Sequence, residues 1–185
     1  MAGPSFDPSG AVRFDLRNGA ASDAKGKRVV LIPVEALGAL GDGQRLALAM
    51  IGQATGQACG SRVASRLGGD AGVRKASLED VVSHLAGELA VAGLGMLHIE
   101  RWGRALVCVL AQAPIADEAF LEATLSGALS SATGREVMCA CMGAEGGQTK
   151  FFCGAAATAD RVRTAVGEGK RPAEILASLQ EGGAS

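Results

Sequence analysis

The chain has 185 residues, 48% of them apolar and 20% charged, which excludes a disordered chain and provides for one domain with a sizeable core. A net charge of -1 gives neither nucleic acid nor an anionic membrane surface anything to be drawn to. Aromatic residues are only 3% and tyrosine is absent, so stacking on bases is excluded and the core must be built from Leu, Val, Ala and Met.

Taken in order, residues 1–26 form a leader rich in Gly, Ala, Ser and Asp. Within it AVRFDLR alternates Val12, Phe14 and Leu16 and can pair as an edge strand. It has neither the basic start nor the apolar stretch of a signal peptide, and no apolar run approaches the length of a membrane span. Residues 27–32, KRVVLI, predict a strand stopped by Pro33, and VEALGAL a short helix. Gly41, Asp42 and Gly43 break the pattern, with Asp42 placed to cap the next helix. This helix, over residues 42–67, is the longest element, and in it Gly52, Gly56 and Gly60 recur every four residues between Leu48 and Ala64. Residues four apart stack on one face, so the glycines form a bare stripe. Each costs about 1 kcal/mol of helix stability relative to alanine, so three in register predict close packing against a helix or a flat ligand.

GGDAGVRKA predicts a loop. Ser77 and Asp80 have capping-box spacing, and the helix after them puts Leu78, Val81, Val82, Leu85, Leu89 and Ala92 on one face before Gly93 ends it. His84 lies off that face and is expected at the surface. Two apolar runs around Trp102 and Gly103 predict a hairpin. A helix over residues 117–133, with Phe120, Leu121, Thr124, Leu125, Ala128 and Leu129 inward, leads through Gly134 to a second hairpin turning at Gly146 and Gly147. Two helices close the chain, Pro172 fitting the first turn of the last. Two hairpins separated by helices predict an α+β fold, a four-stranded antiparallel sheet with helices packed mainly on one face.

Few residues point to chemistry. Glu136, Cys139, Cys141 and Cys153 are the weak candidates for zinc, three thiolates and a carboxylate, without the C-x-x-C pair or the nearby histidine of a typical site. Buried cysteine also packs as a small hydrophobe, and no metal or cofactor is expected. Met96, His98 and Trp102 share one face of the first hairpin and could bound a pocket for a small aromatic molecule. There is no nucleophile elbow and no phosphate loop, and the acid pairs Glu79-Asp80 and Asp117-Glu118 sit at helix starts, where the dipole accounts for them. The arginine pairs, Arg101 with Arg104 and Arg161 with Arg163, each have an acid close by and read as solvated faces.

Residues 27–154 resemble the 4-vinyl-reductase-like domain, a module similar to subunits of the TRAPP trafficking complexes. The likeness is carried by KRVVLIPVEAL, IGQATGQACGSRVA, SLEDVVSHLAGELAVAGLGMLHIERWGRALVCVL, LEATLSGALSSATGREVMCACMG and TKFFCG. A second likeness, carried by the G-x-x-x-G-x-R-V helix and AGLGMLHIE, is to the D subunit of bacterial cellulose-synthase operons, which lacks a counterpart of the helical extension over residues 155–185. The resemblance implies a hydrophobic pocket between helices and sheet or a dimerising scaffold. It also implies a metal motif in which Glu136 and Cys139 match, while residue 147 is glycine where a cysteine would stand. The expectation is therefore a non-enzymatic binding or adaptor module of a bacterial cytoplasm, where five unpaired cysteines stay reduced. It would be a homodimer or bind a heteromeric protein partner through the glycine groove. The alternative is a sensor for a hydrophobic or aromatic small molecule. An enzyme acting on a porphyrin-like substrate ranks last.

Overall fold

The computed structural model describes residues 6–40, 42–103 and 105–181. The expectations for Arg104, for the first five residues and for the last four lie outside them. The architecture is α+β. Two hairpins, β4 (Met96–Trp102) with β5 (Ala105–Ala111) and β6 (Met138–Glu145) with β7 (Gln148–Gly154), join through β5 and β7 into an antiparallel sheet of order β4-β5-β7-β6. Gly146 and Gly147 turn the second hairpin with φ of 59° and 76°, the positive angles that a tight two-residue turn needs.

Strand alternation sends the two halves of the sheet to two cores. On one face Leu97, Cys108, Leu110, Cys139, Cys141 and Phe151 meet the main helical layer of α2 (Arg45–Arg66), α4 (Leu78–Val91) and α5 (Glu118–Thr133). On the other, Val107, Val109, Ala140, Met142 and Phe152 meet α6 (Ala156–Gly167) and α7 (Pro172–Glu181). Phe120, Leu121, Thr124, Leu125, Ala128 and Leu129 of α5 are all buried. Ser77 and Asp80 make the capping box of α4, and Leu94 N–H reaches back to the Leu89 carbonyl at 2.9 Å past Gly93 in the left-handed region. No helix among the described residues is long and apolar enough to cross a membrane.

The glycine stripe of α2 has its neighbour inside the same chain. A Cβ on Gly52 would stand 2.5 Å from the carbonyl oxygen of Phe120, and Cβ atoms on Gly56 and Gly60 would collide with the carbonyls of Thr124 and Ala128. Positions 52, 56 and 60 thus match 120, 124 and 128 in ascending order, so α2 and α5 run parallel, backbone against backbone. From α5, Gly127 returns the contact, its missing Cβ lying 2.7 Å from the Gln53 carbonyl. Glycine Cα–H groups facing carbonyl oxygens are weak hydrogen bonds that only such an approach allows.

Three local expectations are corrected. The stretch after α2 holds a short helix, α3 (Gly69–Val73). A 3₁₀ turn (Asp42–Gln44) precedes α2 and puts Gln44, not Asp42, at the cap position. His84 is buried, its Nδ1 donating to the Asp80 carbonyl at 2.9 Å, because Phe6 of the amino-terminal segment lies edge-on to its ring. Phe6 fits there only because residue 87 is glycine, where any Cβ would enter the phenyl ring.

That segment continues as a meander of β1 (Val12–Asp15), β2 (Ala20–Asp23) and β3 (Arg28–Val29), a separate three-stranded sheet. It is tied to the body by a buried ion cluster. Glu88 of α4, 1% exposed, accepts from Arg62 Nε at 2.5 Å and from Arg66 Nε at 2.8 Å, while Arg62 lies 3.5 Å from Asp23 of β2. Among the described residues, removing Arg62 would leave Asp23 without an ion-pair partner, and removing Glu88 would leave Arg66 without one. The run 27–32, expected as a strand, pairs only at Arg28 and Val29; Val30, Leu31 and Ile32 continue as exposed chain into α1 (Val34–Gly38).

Substituting Gly56 by alanine is expected to lower unfolding free energy by about 3 kcal/mol, although alanine is the better helix former by about 1 kcal/mol. Gly38, with nothing near its absent Cβ, is the matched control, and G38A should be neutral or stabilising in the same denaturant titration.

Candidate functional site

The strongest candidate for a binding site is a groove of about 540 Å³ between α4 and β4, the edge strand of the main sheet. Helical spacing builds one wall. Val81, Leu85 and Leu89 turn into the core, so Leu78, Val82 and Ala86, stacked four apart, face the sheet edge. Strand alternation with the β5 neighbour builds the other from Leu97, Ile99 and Leu106. Ala86 is what keeps the groove open, since a longer side chain there would fill it. Around this apolar floor stand Glu79, Ser83 and Arg101. Among the described residues, the side chains of these three have no hydrogen-bond or ion-pair partner. An apolar slot with a few polar groups at its rim suits a planar, mostly apolar molecule carrying one polar substituent.

The three hairpin residues expected to share a pocket line no common one. The His98 side chain projects to the sheet face opposite the groove, as does its ladder partner Val109, with Nε2 3.9 Å from Glu100 Oε1. Trp102 projects from that same face, where its Nε1 donates to Glu100 at 2.8 Å and Lys150 Nζ lies 4.8 Å from its ring centroid. There it borders a separate cleft of about 350 Å³ with Met142, Lys150 and Pro172. Met96 is 60% exposed and lines neither. Gly52, Gly56 and Gly60 lie under α5, so the stripe is not open to a ligand or a second protein.

A larger cleft, about 740 Å³, opens where α2 and α5 begin, between Arg45, Leu48, Ile115, Asp117, Glu118 and Glu122. Two of its carboxylates are already used. Asp117 caps α5 by accepting from Phe120 N–H at 2.8 Å. Glu122 accepts from Cys141 N–H at 2.6 Å and from Arg163 at 3.0 and 3.1 Å, joining α5 to β6 and α6.

The cysteines form a cluster that spacing alone does not show. Cys139 and Cys153 are direct partners in the β6–β7 ladder with sulfurs 3.2 Å apart, and Cys108 joins them because β5 pairs with β7. Strand order was the missing signal: it places Cys108, from the other hairpin, beside Cys153. Glu136 lies exposed in the α5–β6 connection. Among the described residues no three His, Cys, Asp or Glu side chains are grouped to hold a metal ion. Burial raises the Cys59 thiol to about 11 and the Cys141 thiol to about 12, and the neighbouring thiols with burial raise Cys153.

No family model matches the chain, and no curated protein matches it. Among solved structures, the chain is similar to the crystal structure of the phenol-responsive sensory domain of the transcription activator PoxR with phenol. The two superpose with a TM-score of 0.60 over 77% of this chain and 84% of that one, at 11% sequence identity. The shared feature is therefore the fold.

Protonated, buried thiols are poor nucleophiles. In the folded protein at pH 8, a thiol reagent such as DTNB is expected to modify none of the five cysteines within minutes, and all five once denaturant is added.

Proposed function

We propose that this chain is a sensory module that binds a small aromatic molecule in the α4–β4 groove. The reading is supported by the fold held in common with a phenol-responsive sensory domain, together with a groove of the right size and lining. A ring would lie between Val82 and Ala86 on one side and Leu97 and Ile99 on the other. Its hydroxyl or carboxylate would point to Ser83 and Arg101, the groups without a structural task. Such a ligand has few atoms, so its affinity is bounded: at about 1 kcal/mol per heavy atom, a phenol or cresol, with about seven or eight heavy atoms, reaches micromolar dissociation constants. The adaptor reading expected from sequence relied on the glycine stripe as a docking face, and α5 of the same chain occupies that face.

Phenol, cresols and benzoate, titrated into protein with labelled methyl groups, are expected to shift the Val82, Leu97 and Ile99 signals. Replacing Ala86 with phenylalanine fills the groove and should weaken binding at least tenfold, while R101A weakens it several-fold with little change in melting temperature. If no compound in the panel binds, or the shifts appear instead at Leu48 and Ile115 of the larger cleft, the assignment is wrong.

A further inference from the structure

We infer that the α4–β4 groove selects an aromatic α-amino acid, held by its charged head between Glu79 and Arg101. This rests on the reading of the groove as the ligand site and adds the chemical class that the site prefers.

Chain direction sets the arrangement. Only residues 92–95 separate α4 from β4, and Gly93 and Gly95 turn the chain there with φ of 72° and 102°, so helix and strand run antiparallel along the groove they share. Ala86 therefore stands opposite Leu97 near the turn, and the start of α4 stands opposite the far end of β4. From Ala86 back to Glu79 the helix covers about 10 Å, and from Leu97 on to Arg101 the strand covers about 13 Å. The two charged residues thus flank the same end of the slot. Strand alternation puts Arg101 on the sheet face of Leu97 and Ile99, and helical spacing puts Glu79 and Ser83 along the rim beside Val82 and Ala86.

Charge gives the chemistry. Glu79 and Arg101 border one groove yet form no ion pair with each other, and among the described residues neither has another partner. The helix start does not employ Glu79. Its neighbour Asp80 closes the capping box, accepting from the Ser77 N–H at 3.3 Å and from the Ser77 hydroxyl at 2.8 Å. A ligand with one negative group would satisfy Arg101 but bring like charge up to Glu79, and a ligand with one positive group would do the reverse. An α-amino acid carries both charges on one carbon and satisfies both. Its ammonium group would donate to Glu79 and its carboxylate would accept from Arg101, while its ring runs between Val82 and Ile99 toward the space left by Ala86. Both charged residues are exposed at the rim, so each pairing contributes modestly and selectivity comes from having the two together.

The test is binding to the full chain of L-phenylalanine, of hydrocinnamate, which lacks the ammonium group, and of phenethylamine, which lacks the carboxylate. Phenol is the uncharged comparison, and the Val82, Leu97 and Ile99 methyl signals report the site. Phenylalanine is expected to bind about fivefold more tightly than either one-charge analogue, each of which forfeits one exposed pair and leaves a like charge facing the ligand. Glu79→Gln should abolish the preference over hydrocinnamate and Arg101→Gln the preference over phenethylamine, with the melting temperature of each variant confirming that it is folded. If phenol or hydrocinnamate moves these signals and phenylalanine binds no more tightly, the inferred class is wrong while the groove remains the ligand site. If none of the four compounds moves them, both readings fall. A preference for phenylalanine over hydrocinnamate that survives Glu79→Gln would also overturn the inference.

Discussion

The seam between α2 and α5 is the constraint on which the rest of the helical layer depends. Three glycines cost α2 about 3 kcal/mol of intrinsic helix stability. In return three Cα–H groups lie against the carbonyls of Phe120, Thr124 and Ala128, each contact worth about 0.5–1 kcal/mol, so the exchange roughly balances. What the seam adds is position. With no side chains between the backbones, α5 can lie against α2 while its other faces carry Leu121, Leu125 and Leu129 into the core. The fit is mutual, since Gly127 of α5 is as short of room as its counterparts, and a methyl group on either helix would push the pair apart.

Once that pair is fixed, α4 has little freedom. Its inner residues Val81, Leu85 and Leu89 share the core with α5 and the sheet, and Glu88 is held by two arginines of α2. Those two attachments set the rotation of α4 about its own axis. Leu78, Val82 and Ala86 then face the sheet edge, where an alanine opposite Leu97 leaves space that a leucine would close. The groove is a consequence of helix phase and one small residue.

Much of this was legible in the sequence. The hairpins were marked by glycine turns, α4 by Ser77 and Asp80, and α5 by a regular apolar face from Phe120 to Leu129. Local signals of that kind survive because each is decided within a few residues. The partner of the glycine stripe was not legible: spacing shows that a backbone comes close, but not that it belongs to α5, more than 60 residues later. His84 was misplaced for a similar reason. Its own helix leaves it off the apolar face, and only Phe6, arriving from the far end of the chain, covers it. The cysteine cluster needed the β5–β7 pairing before Cys108 could be set beside Cys153. The valine-rich run after residue 27 carries strong strand propensity yet forms only two residues of strand. Propensity for a pleated surface is realised only where a neighbouring strand exists, and within one chain β2 reaches no further than Val29.

The candidate groove is distinguished by what its polar groups are not doing. Elsewhere the partly or fully buried charges are engaged: Glu88 and Asp23 with arginines, Glu122 with Arg163 and a strand amide, Asp117 with a helix start, Glu100 with Trp102 and Lys150. Each would lose a structural bond by turning to a ligand, and that loss would be subtracted from the affinity. Among the described residues, Glu79, Ser83 and Arg101 have no such bond to give up. They surround an apolar slot rather than lying scattered over the surface. The larger cleft at the starts of α2 and α5 offers more volume but would demand its carboxylates back from the fold. By that reasoning the smaller groove is the better place for a ligand, even though the stripe in α2 is the feature that first draws attention in the sequence.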